Sequence, residues 1–290
     1  MKKNKYKNKY IKEKFEKTIL TTINKFKLFN QKNKILVAAS GGKDSTTILY
    51  ILKKYKYNVE AIAIDQSITS YSKKNIENIT NFCKQHKIKL HKFSFQKEFG
   101  YPLCSLQSIL TKKGAKFKSC TTCGVLRRYL INKKSRSLKP IVIVTGHNLD
   151  DEAQSVLMNL LKNNLEMLTR LGPKTGITRD KKFIPRVKPL YLISEKEITA
   201  YSKAMNFPVI YERCPCASVS YRNHIRNLLN KVEKINPKIK QNIINYFLKN
   251  LPKLRKQFQT TQKINYCSAC KEPAKDKLCQ TCKIISLLKA

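Results

Sequence analysis

Six consecutive residues, Ser40-Gly-Gly-Lys-Asp-Ser45, join a short apolar run that ends at Ala39 to an apolar helical segment that starts at Thr46. The junction between a buried strand and its helix gathers unpaired backbone N–H groups at the positive end of a helix dipole, where phosphate binds. Two glycines let the backbone approach an anion closely. The spacing matches neither G-x-x-x-x-G-K-[ST] nor G-x-G-x-x-G, so a Walker loop and a dinucleotide site are disfavoured.

Three further apolar runs follow the first one along the chain. They span residues 59–64, 88–95 and 140–146, and helices are predicted between them near 73–86 and 124–135. Strands that alternate with helices indicate a parallel sheet with helices on both faces, which is an α/β fold. The nearly continuous apolar character of the runs is typical of strands that are covered on both sides.

Eight of the ten cysteines form close pairs. Because the sequence shows no secretory signal, these pairs indicate metal or redox chemistry rather than a disulfide framework. Cys120-Thr-Thr-Cys123 lies between the third and fourth predicted strands, and by itself this pair fits redox, zinc or iron–sulfur chemistry. The last 28 residues carry two C-x-x-C pairs separated by eight residues, a spacing typical of a closed tetrahedral zinc site. So short a segment needs the metal in order to fold.

An acidic pair, Asp150 and Asp151, opens the helix predicted after the fourth strand. Acidic residues at a helix start often serve only as caps with a favourable dipole interaction. Ligands of parallel α/β proteins bind at the carboxyl ends of the strands, so a role in catalysis or in orienting a ligand is equally open.

In combination these segments resemble the PP-loop ATP pyrophosphatases. Among these they resemble the TtcA/TtuA-like enzymes, which carry out 2-thiolation of a base in tRNA. The loop Ser40–Ser45 resembles the PP-loop, residues 145–154 (TGHNLDDEAQ) resemble the thiolation signature, and Arg213-Cys214-Pro215 falls at the position of the third cysteine. The resemblance implies adenylation of uridine O2 by ATP, followed by sulfur transfer from an iron–sulfur cluster, at the wobble or T-loop position. A 2-thiocytidine synthetase, a lysidine synthetase and a non-catalytic RNA-binding zinc protein remain alternatives.

The resemblance also implies the functional residues. The expected contacts to ATP, which Mg²⁺ would accompany, come from Ala39, Ser40, Gly41, Gly42, Lys43, Asp44, Ser45, Ile64 and Gly146. Asp151 is expected to be the catalytic carboxylate. The expected catalytic ligands of a [4Fe-4S] cluster are Cys120, Cys123 and Cys214, with structural zinc as the alternative for the first two. The expected zinc ligands of the tail are Cys267, Cys270, Cys279 and Cys282.

Two features depart from the family pattern. Cys216 stands where many relatives have Tyr, and it could be a fourth cluster ligand, a sulfur carrier or an inert substitution. Relatives commonly carry a second, N-terminal zinc module, whereas this chain has no cysteine before Cys83. Cys83 and Cys104 lie outside every motif and are expected to be ordinary thiols.

The chain has 60 basic and 18 acidic residues, a net charge of +42. Such a field attracts a polyanion, here tRNA, although the lysine excess also fits the coding bias of an AT-rich genome. We further expect a sulfur donor, either a ubiquitin-like thiocarboxylate carrier or free sulfide, and leave open a homodimer. No window of about 18 apolar residues and no signal peptide is present, which predicts a cytoplasmic protein without a membrane contact.

The sequence predicts four regions. Residues 1–34 form a basic helical arm, either packed on the body or in contact with RNA, and 35–217 form the PP-loop catalytic domain. Residues 218–262 form a basic helical region interrupted at Pro237 and Pro252, and 263–290 form the zinc module.

Overall fold

The computed structural model describes residues 2–115, 117–175, 180, 182–217, 220–258 and 265–289. Eight strands lie in this part of the chain: β1 (Ile35–Ala38), β2 (Val59–Asp65), β3 (Leu90–Ser94), β4 (Val142–Val144), β5 (Lys174–Thr175), β6 (Arg186–Val187), β7 (Asn265–Tyr266) and β8 (Pro273–Ala274). The main sheet has the order β3-β2-β1-β4-β6-β5, and its pairs are parallel except for β5 with β6. The expected α/β fold with a parallel sheet is confirmed.

Helices cover both faces of this sheet. The described helices are α1 (Lys2–Lys25), α2 (Lys43–Lys54), α3 (Thr69–Gln85), α4 (Phe95–Phe99), α5 (Leu103–Lys112), α6 (Ser119–Leu138), α7 (Leu149–Leu161), α8 (Leu165–Thr169), α9 (Glu195–Ala204), α10 (Tyr221–Ile235), α11 (Ile239–Gln257) and α12 (Gln280–Lys289). Successive residues of a strand point to opposite faces. In β1, Ile35 and Val37 join one apolar cluster with α1, α2, α3 and α9, and Leu36 joins a second cluster with α5, α6 and α12.

The helix predicted in the basic N-terminal arm is α1, and one side of it packs into the core. Phe15, Ile19 and Ile23 are buried in the first apolar cluster. The buried carboxylate of Glu16 accepts hydrogen bonds from Lys54 and from two tyrosine hydroxyls. A carboxylate that is satisfied in this way fixes the helix on the body, because losing its partners would leave a buried charge unpaired.

Helices α7, α10 and α11 form a third layer beside the sheet. The predicted break at Pro237 is confirmed, since it lies between α10 and α11, but the predicted break at Pro252 is wrong because α11 continues through it. Ile244, Phe247 and Leu251 are buried along one side of α11. Burying three such side chains contributes about 1.5–3 kcal/mol each, which exceeds the cost of about 3 kcal/mol for one interior proline.

The cysteine-rich tail consists of the β7–β8 hairpin and α12, and it packs on the face of α5 and α6. Ile284 of α12 is fully buried in the second apolar cluster. Arg136 of α6 forms an ion pair with Glu272, next to β8. None of the helices in the described segments combines the length and apolar character that crossing a bilayer requires.

Candidate active site

The loop after β1 is shaped to leave the start of α2 open to an anion. Gly41 has a φ of +80°, and a Cβ there would lie 2.3 Å from the carbonyl oxygen of Asn75, so a larger residue does not fit. The Ser45 hydroxyl accepts from the Ser40 N–H at 3.1 Å and donates to the Gly42 carbonyl at 3.1 Å. No side chain caps α2. Its first N–H groups have no partner within the helix and therefore point outward as a phosphate site.

The other residues expected at the nucleotide lie at the same edge of the sheet. Ala39 is buried and follows β1 directly, and Ile64 is close to the carboxyl end of β2. The Ile64 carbonyl already accepts a hydrogen bond from the Gln66 side chain at 2.7 Å. Gly146 follows β4, and a Cβ there would lie only 2.9 Å from the backbone nitrogen of Ser45. The turn after β4 therefore backs directly onto the phosphate loop.

The side chains of the loop are held by charged and polar partners. Lys43 Nζ contacts Asp44 Oδ2 and Glu195 Oε1, both at 3.0 Å. Asp44 Oδ1 accepts from the Asn148 amide at 3.0 Å. Burial raises the pKa of Asp44, Lys43 opposes this, and the nearby charge of Asp151 adds to it. Asp44 and Asp151 are thus close enough for their charges to interact beside the loop.

The structure separates the roles of the acidic pair at the start of α7. Asp150 is buried, forms an ion pair with Lys240 and accepts the backbone N–H of Glu195. Asp151 forms a capping box with Asn148, so the cap function is present. Its side chain is still 24% exposed, and its Oδ1 lies 3.6 Å from Arg222. Asp151 is therefore the carboxylate that a ligand can reach, and Asp150 is fully engaged in packing the helices.

The three cysteines assigned to a cluster come together from two segments. Cys120 and Cys123 lie in the first turn of α6, where a spacing of three residues puts both on one side of the helix. Cys214 precedes the 3₁₀ turn Pro215–Ala217. Burial raises the pKa of both α6 thiols, and the neighbouring charge of Cys214 also raises it.

The spacing of these three thiols differs from that of a single-ion site. Among the described residues, one group of at least three ligand atoms lies within 4.8 Å of each other, and it consists of Cys267, Cys270, Cys279 and Cys282. Thiolates on one zinc at about 2.3 Å lie about 3.8 Å apart in a tetrahedron. Cys120, Cys123 and Cys214 form no such tight group in the described residues, and thiolates also hold iron–sulfur clusters, where the ligands bind different metal atoms.

The sulfur atoms of the four tail cysteines are about as far apart as the ligands of a single zinc ion. The sulfurs of Cys270 and Cys279 are 3.6 Å apart, and the Cys282 N–H donates to the Cys279 sulfur at 3.4 Å. Burial raises the pKa of Cys267, but backbone N–H groups around it outweigh burial and lower the pKa to about 6. A thiolate is the form that binds zinc, so the donor set fits a structural zinc ion.

Four cations lie close enough to His147 for their charges to act on it, and no single sequence motif contains them. The His147 ring hydrogen-bonds to the Thr145 hydroxyl at 2.8 Å. Desolvation and then nearby positive charges lower the pKa of His147 to about 3. The cations are Lys188, Arg222, Arg127 and Arg186. They come from three separate segments, since Arg186 and Lys188 are two residues apart, so no local sequence pattern could have predicted the whole group.

Arg128 and Arg186 lie together beside the cysteine helix. Arg186 Nη2 donates to the Arg128 carbonyl at 3.5 Å, and Arg128 Nη1 lies 2.9 Å from the place of a Cβ on Gly124. The described residues include every Asp and Glu of the chain, and no ion pair joins any of them to these two arginines. Guanidinium groups without a carboxylate partner are suited to bind phosphate.

A phosphate loop on a parallel sheet, with a reachable carboxylate and a three-cysteine site, defines an ATP-binding PP-loop enzyme. The family model for the PP-loop domain matches residues 11–233, so this chain belongs to the PP-loop family. The resemblance found in the sequence is thereby confirmed.

Two similar proteins and one solved structure show which members of the family this chain is similar to. The tRNA-5-methyluridine(54) 2-sulfurtransferase of Pyrococcus horikoshii is 36% identical over 280 residues, covering 97% of this chain and 87% of that protein. A probable sulfurtransferase of Methanocaldococcus jannaschii is 32% identical over 296 residues, covering 98% of this chain and 84% of that protein. Among solved structures, the U34-tRNA thiolase NcsA from Methanococcus maripaludis, with its [4Fe-4S] cluster, matches with a TM-score of 0.77 and 25% identity, covering 97% of this chain and 88% of that one.

Proposed function

We propose that this protein is a tRNA sulfurtransferase that uses ATP to convert a uridine to 2-thiouridine. The observation that carries this proposal is a phosphate loop with the carboxylate of Asp151 beside it, in a chain that also brings Cys120, Cys123 and Cys214 close together. Membership of the PP-loop family and relatives named as tRNA 2-sulfurtransferase and tRNA thiolase support it.

ATP binds with its phosphates on the loop Ser40–Ser45 and the first turn of α2, backed by Gly146. The uridine O2 attacks the α-phosphorus, pyrophosphate leaves, and O2 becomes a good leaving group. A sulfur nucleophile then attacks C2, the C2–O bond breaks, and AMP leaves. The anion-binding N–H groups stabilise the charge that develops on the phosphates during the first step.

Asp151 acts as the catalytic carboxylate, and together with Asp44 it orients the Mg²⁺ that accompanies ATP. Both carboxylates lie beside the loop, and carboxylate oxygens are preferred Mg²⁺ ligands. Asp150 is excluded from this role by its contacts with Lys240 and the Glu195 N–H.

Cys120, Cys123 and Cys214 hold the [4Fe-4S] cluster. Three soft thiols spaced more widely than a single-ion set fit that group. When bound, the cluster would supply an iron without a protein ligand, at which sulfur for the reaction can be held. The chain itself contributes the thiols and the positive side chain of Arg127, whose charge opposes the burial that raises the pKa of both α6 thiols.

The tail cysteines hold a structural Zn²⁺ that fixes α12 against α5 and α6. tRNA lies along the cations near His147, with phosphates on Arg186 and on the neighbouring Arg128. The sulfur donor, the formation of a homodimer and a cytoplasmic location remain expectations, the last of which follows from the proposed tRNA substrate.

Anaerobic reconstitution of the reaction tests the proposal. The purified protein, unmodified tRNA, ATP, Mg²⁺ and a sulfur source should yield 2-thiouridine by nucleoside mass spectrometry, with AMP and pyrophosphate formed in equal amounts. Asp44→Ala and Cys123→Ser should abolish the product, whereas Cys83→Ala, outside the site, should retain it. Formation of 2-thiocytidine or lysidine, or release of ADP, would contradict the assignment.

A further inference from the structure

A second pair of thiols lies directly beside the three-cysteine site. Cys104, at the start of α5, and Cys216, in the 3₁₀ turn, line the same open cavity of about 420 Å³. No sequence pattern connects them, because 111 residues separate them and Cys104 belongs to no motif. The fold brings them to one place by packing the start of α5 near the turn after Cys214.

The two thiols differ in access to solvent. Cys104 is exposed, whereas Cys216 is half-buried. The remaining wall of the cavity is formed by Leu103 and by the side chains of Gln107, Ser108, Thr111 and Ser119, and it carries one cation, Lys112. A small anionic molecule can therefore enter at the side of Cys104.

Cys216 connects this cavity to the three-cysteine site. Its carbonyl oxygen accepts a hydrogen bond from the Cys120 thiol at 3.1 Å. Its own thiol lies near Cys214, two residues earlier in the chain, and lines the cavity together with Cys104. Cys216 thus lines the cavity together with Cys104 and contacts the proposed cluster ligand Cys120 through its carbonyl oxygen.

The chemistry of thiols selects one class of sulfur donor for such a pair. A thiolate can accept the outer sulfur of a persulfide by exchange, without any change of redox state. Hydrosulfide and a thiocarboxylate carry sulfur that is already fully reduced, so placing it on a thiol would require an oxidant. The pair therefore fits a persulfide donor.

We propose that Cys104 and Cys216 form a sulfur relay that accepts sulfur from a persulfide at the cavity and carries it to the edge of the three-cysteine site. Because the relay serves the site described above, it rests on the proposed function. This assigns to Cys216 the role of sulfur carrier and gives Cys104 a role as the entry thiol.

Each step of the relay is balanced. The Cys104 thiolate attacks the outer sulfur of R–S–SH, the S–S bond of the donor breaks, a new S–S bond forms at Cys104, and R–S⁻ leaves and takes up a proton. The Cys216 thiolate then attacks the outer sulfur on Cys104 in the same way, so that the Cys104 thiolate is released and Cys216 carries the persulfide.

The test measures sulfur loading without tRNA or ATP, so it is independent of whether thiolation occurs. Anaerobic, cluster-loaded protein is mixed with glutathione persulfide, quenched by alkylation at increasing times and digested for peptide mass spectrometry. The added sulfur should appear first on Cys104 and later on Cys216. Buried Cys83 serves as the internal control and should stay unloaded.

Two variants establish the order. Cys216→Ser should leave sulfur stalled on Cys104, and Cys104→Ser should slow loading of Cys216 by at least about tenfold, because the accessible acceptor is gone. Cys104 is exposed, so its serine variant should keep the wild-type circular dichroism and iron content. Loading of Cys216 at the wild-type rate in Cys104→Ser, sulfur found first on Cys120, Cys123 or Cys214, or a disulfide between Cys104 and Cys216 in place of persulfide would each overturn the relay.

Discussion

Two glycine-to-alanine substitutions should separate ATP binding from tRNA binding. A Cβ on Gly146 would lie 2.9 Å from the backbone nitrogen of Ser45, and a Cβ on Gly124 would lie 2.9 Å from Nη1 of Arg128. The contact distances are the same, but the first neighbour is backbone at the start of α2 and the second is the end of a flexible side chain. The consequences should therefore differ in kind.

The sizes of the effects follow from these contacts. In Gly146→Ala the first turn of α2 must shift by about half an ångström to reach an ordinary contact distance, at a cost of about 1–3 kcal/mol for overpacking. A charge-assisted hydrogen bond is worth about 1.5–3 kcal/mol, so misaligning one N–H at the phosphates should weaken ATP binding about tenfold to a hundredfold. In Gly124→Ala the guanidinium moves aside, and helix propensity contributes up to about 1 kcal/mol of added stability.

Equilibrium dialysis with ATP and Mg²⁺, tRNA filter binding and thermal unfolding measure these quantities. We expect Gly146→Ala to lose ATP affinity and keep tRNA affinity, and Gly124→Ala to keep ATP affinity, lose tRNA affinity and unfold at an equal or higher temperature. The geometric reasoning fails if Gly146→Ala binds ATP as the wild type does, or if Gly124→Ala loses ATP affinity to the same extent.

Asp151→Asn should abolish AMP formation while changing the unfolding temperature little. Asp150→Asn should destabilise the protein by about 1.5–3 kcal/mol, because buried Lys240 loses one charged partner and keeps Glu233; equal losses of activity at equal stability would contradict this. Arg186→Ala should lower the slope of log K against log salt for tRNA binding by about 0.7–0.9, the value for one phosphate contact, and an unchanged slope would remove this residue from the tRNA site. Hydrogen bonds from Lys54 and two tyrosines outweigh burial and lower the pKa of Glu16. The contribution of Glu16 to the free energy of unfolding is therefore complete above the ordinary carboxyl pKa and is lost as the pH falls through the lowered pKa of the folded state. Glu16→Gln should for this reason reduce the loss of stability at acid pH. Zinc chelation should release one metal ion and expose the amides of α12 to hydrogen exchange, while iron content stays constant.

The local features of the fold could be predicted from the sequence, and the tertiary ones could not. The strand–loop–helix unit and the cysteine spacing are contiguous, so pattern and chemistry identify them directly. The predicted break at Pro252 was wrong because the burial of Leu251 and its neighbours depends on α7, which lies almost a hundred residues earlier in the chain. The position of Arg186 could not be predicted for the same reason, because the pairing of β6 with β4 is what brings it beside Arg128.

The distribution of positive charge separates the coding-bias interpretation from the functional one. The chain has 50 lysines and ten arginines, and all ten arginines follow Cys123. Lysines near the site are paired with carboxylates: Lys43 with Asp44 and Glu195, and Lys188 with Glu152. Arg128 and Arg186 have no such partner, and a planar guanidinium offers the paired donors that phosphate accepts. A bias that enriches lysine would not leave arginine at these positions. Arg128 and Arg186, which lack a carboxylate partner, therefore argue for a bound polyanion more strongly than the total charge does.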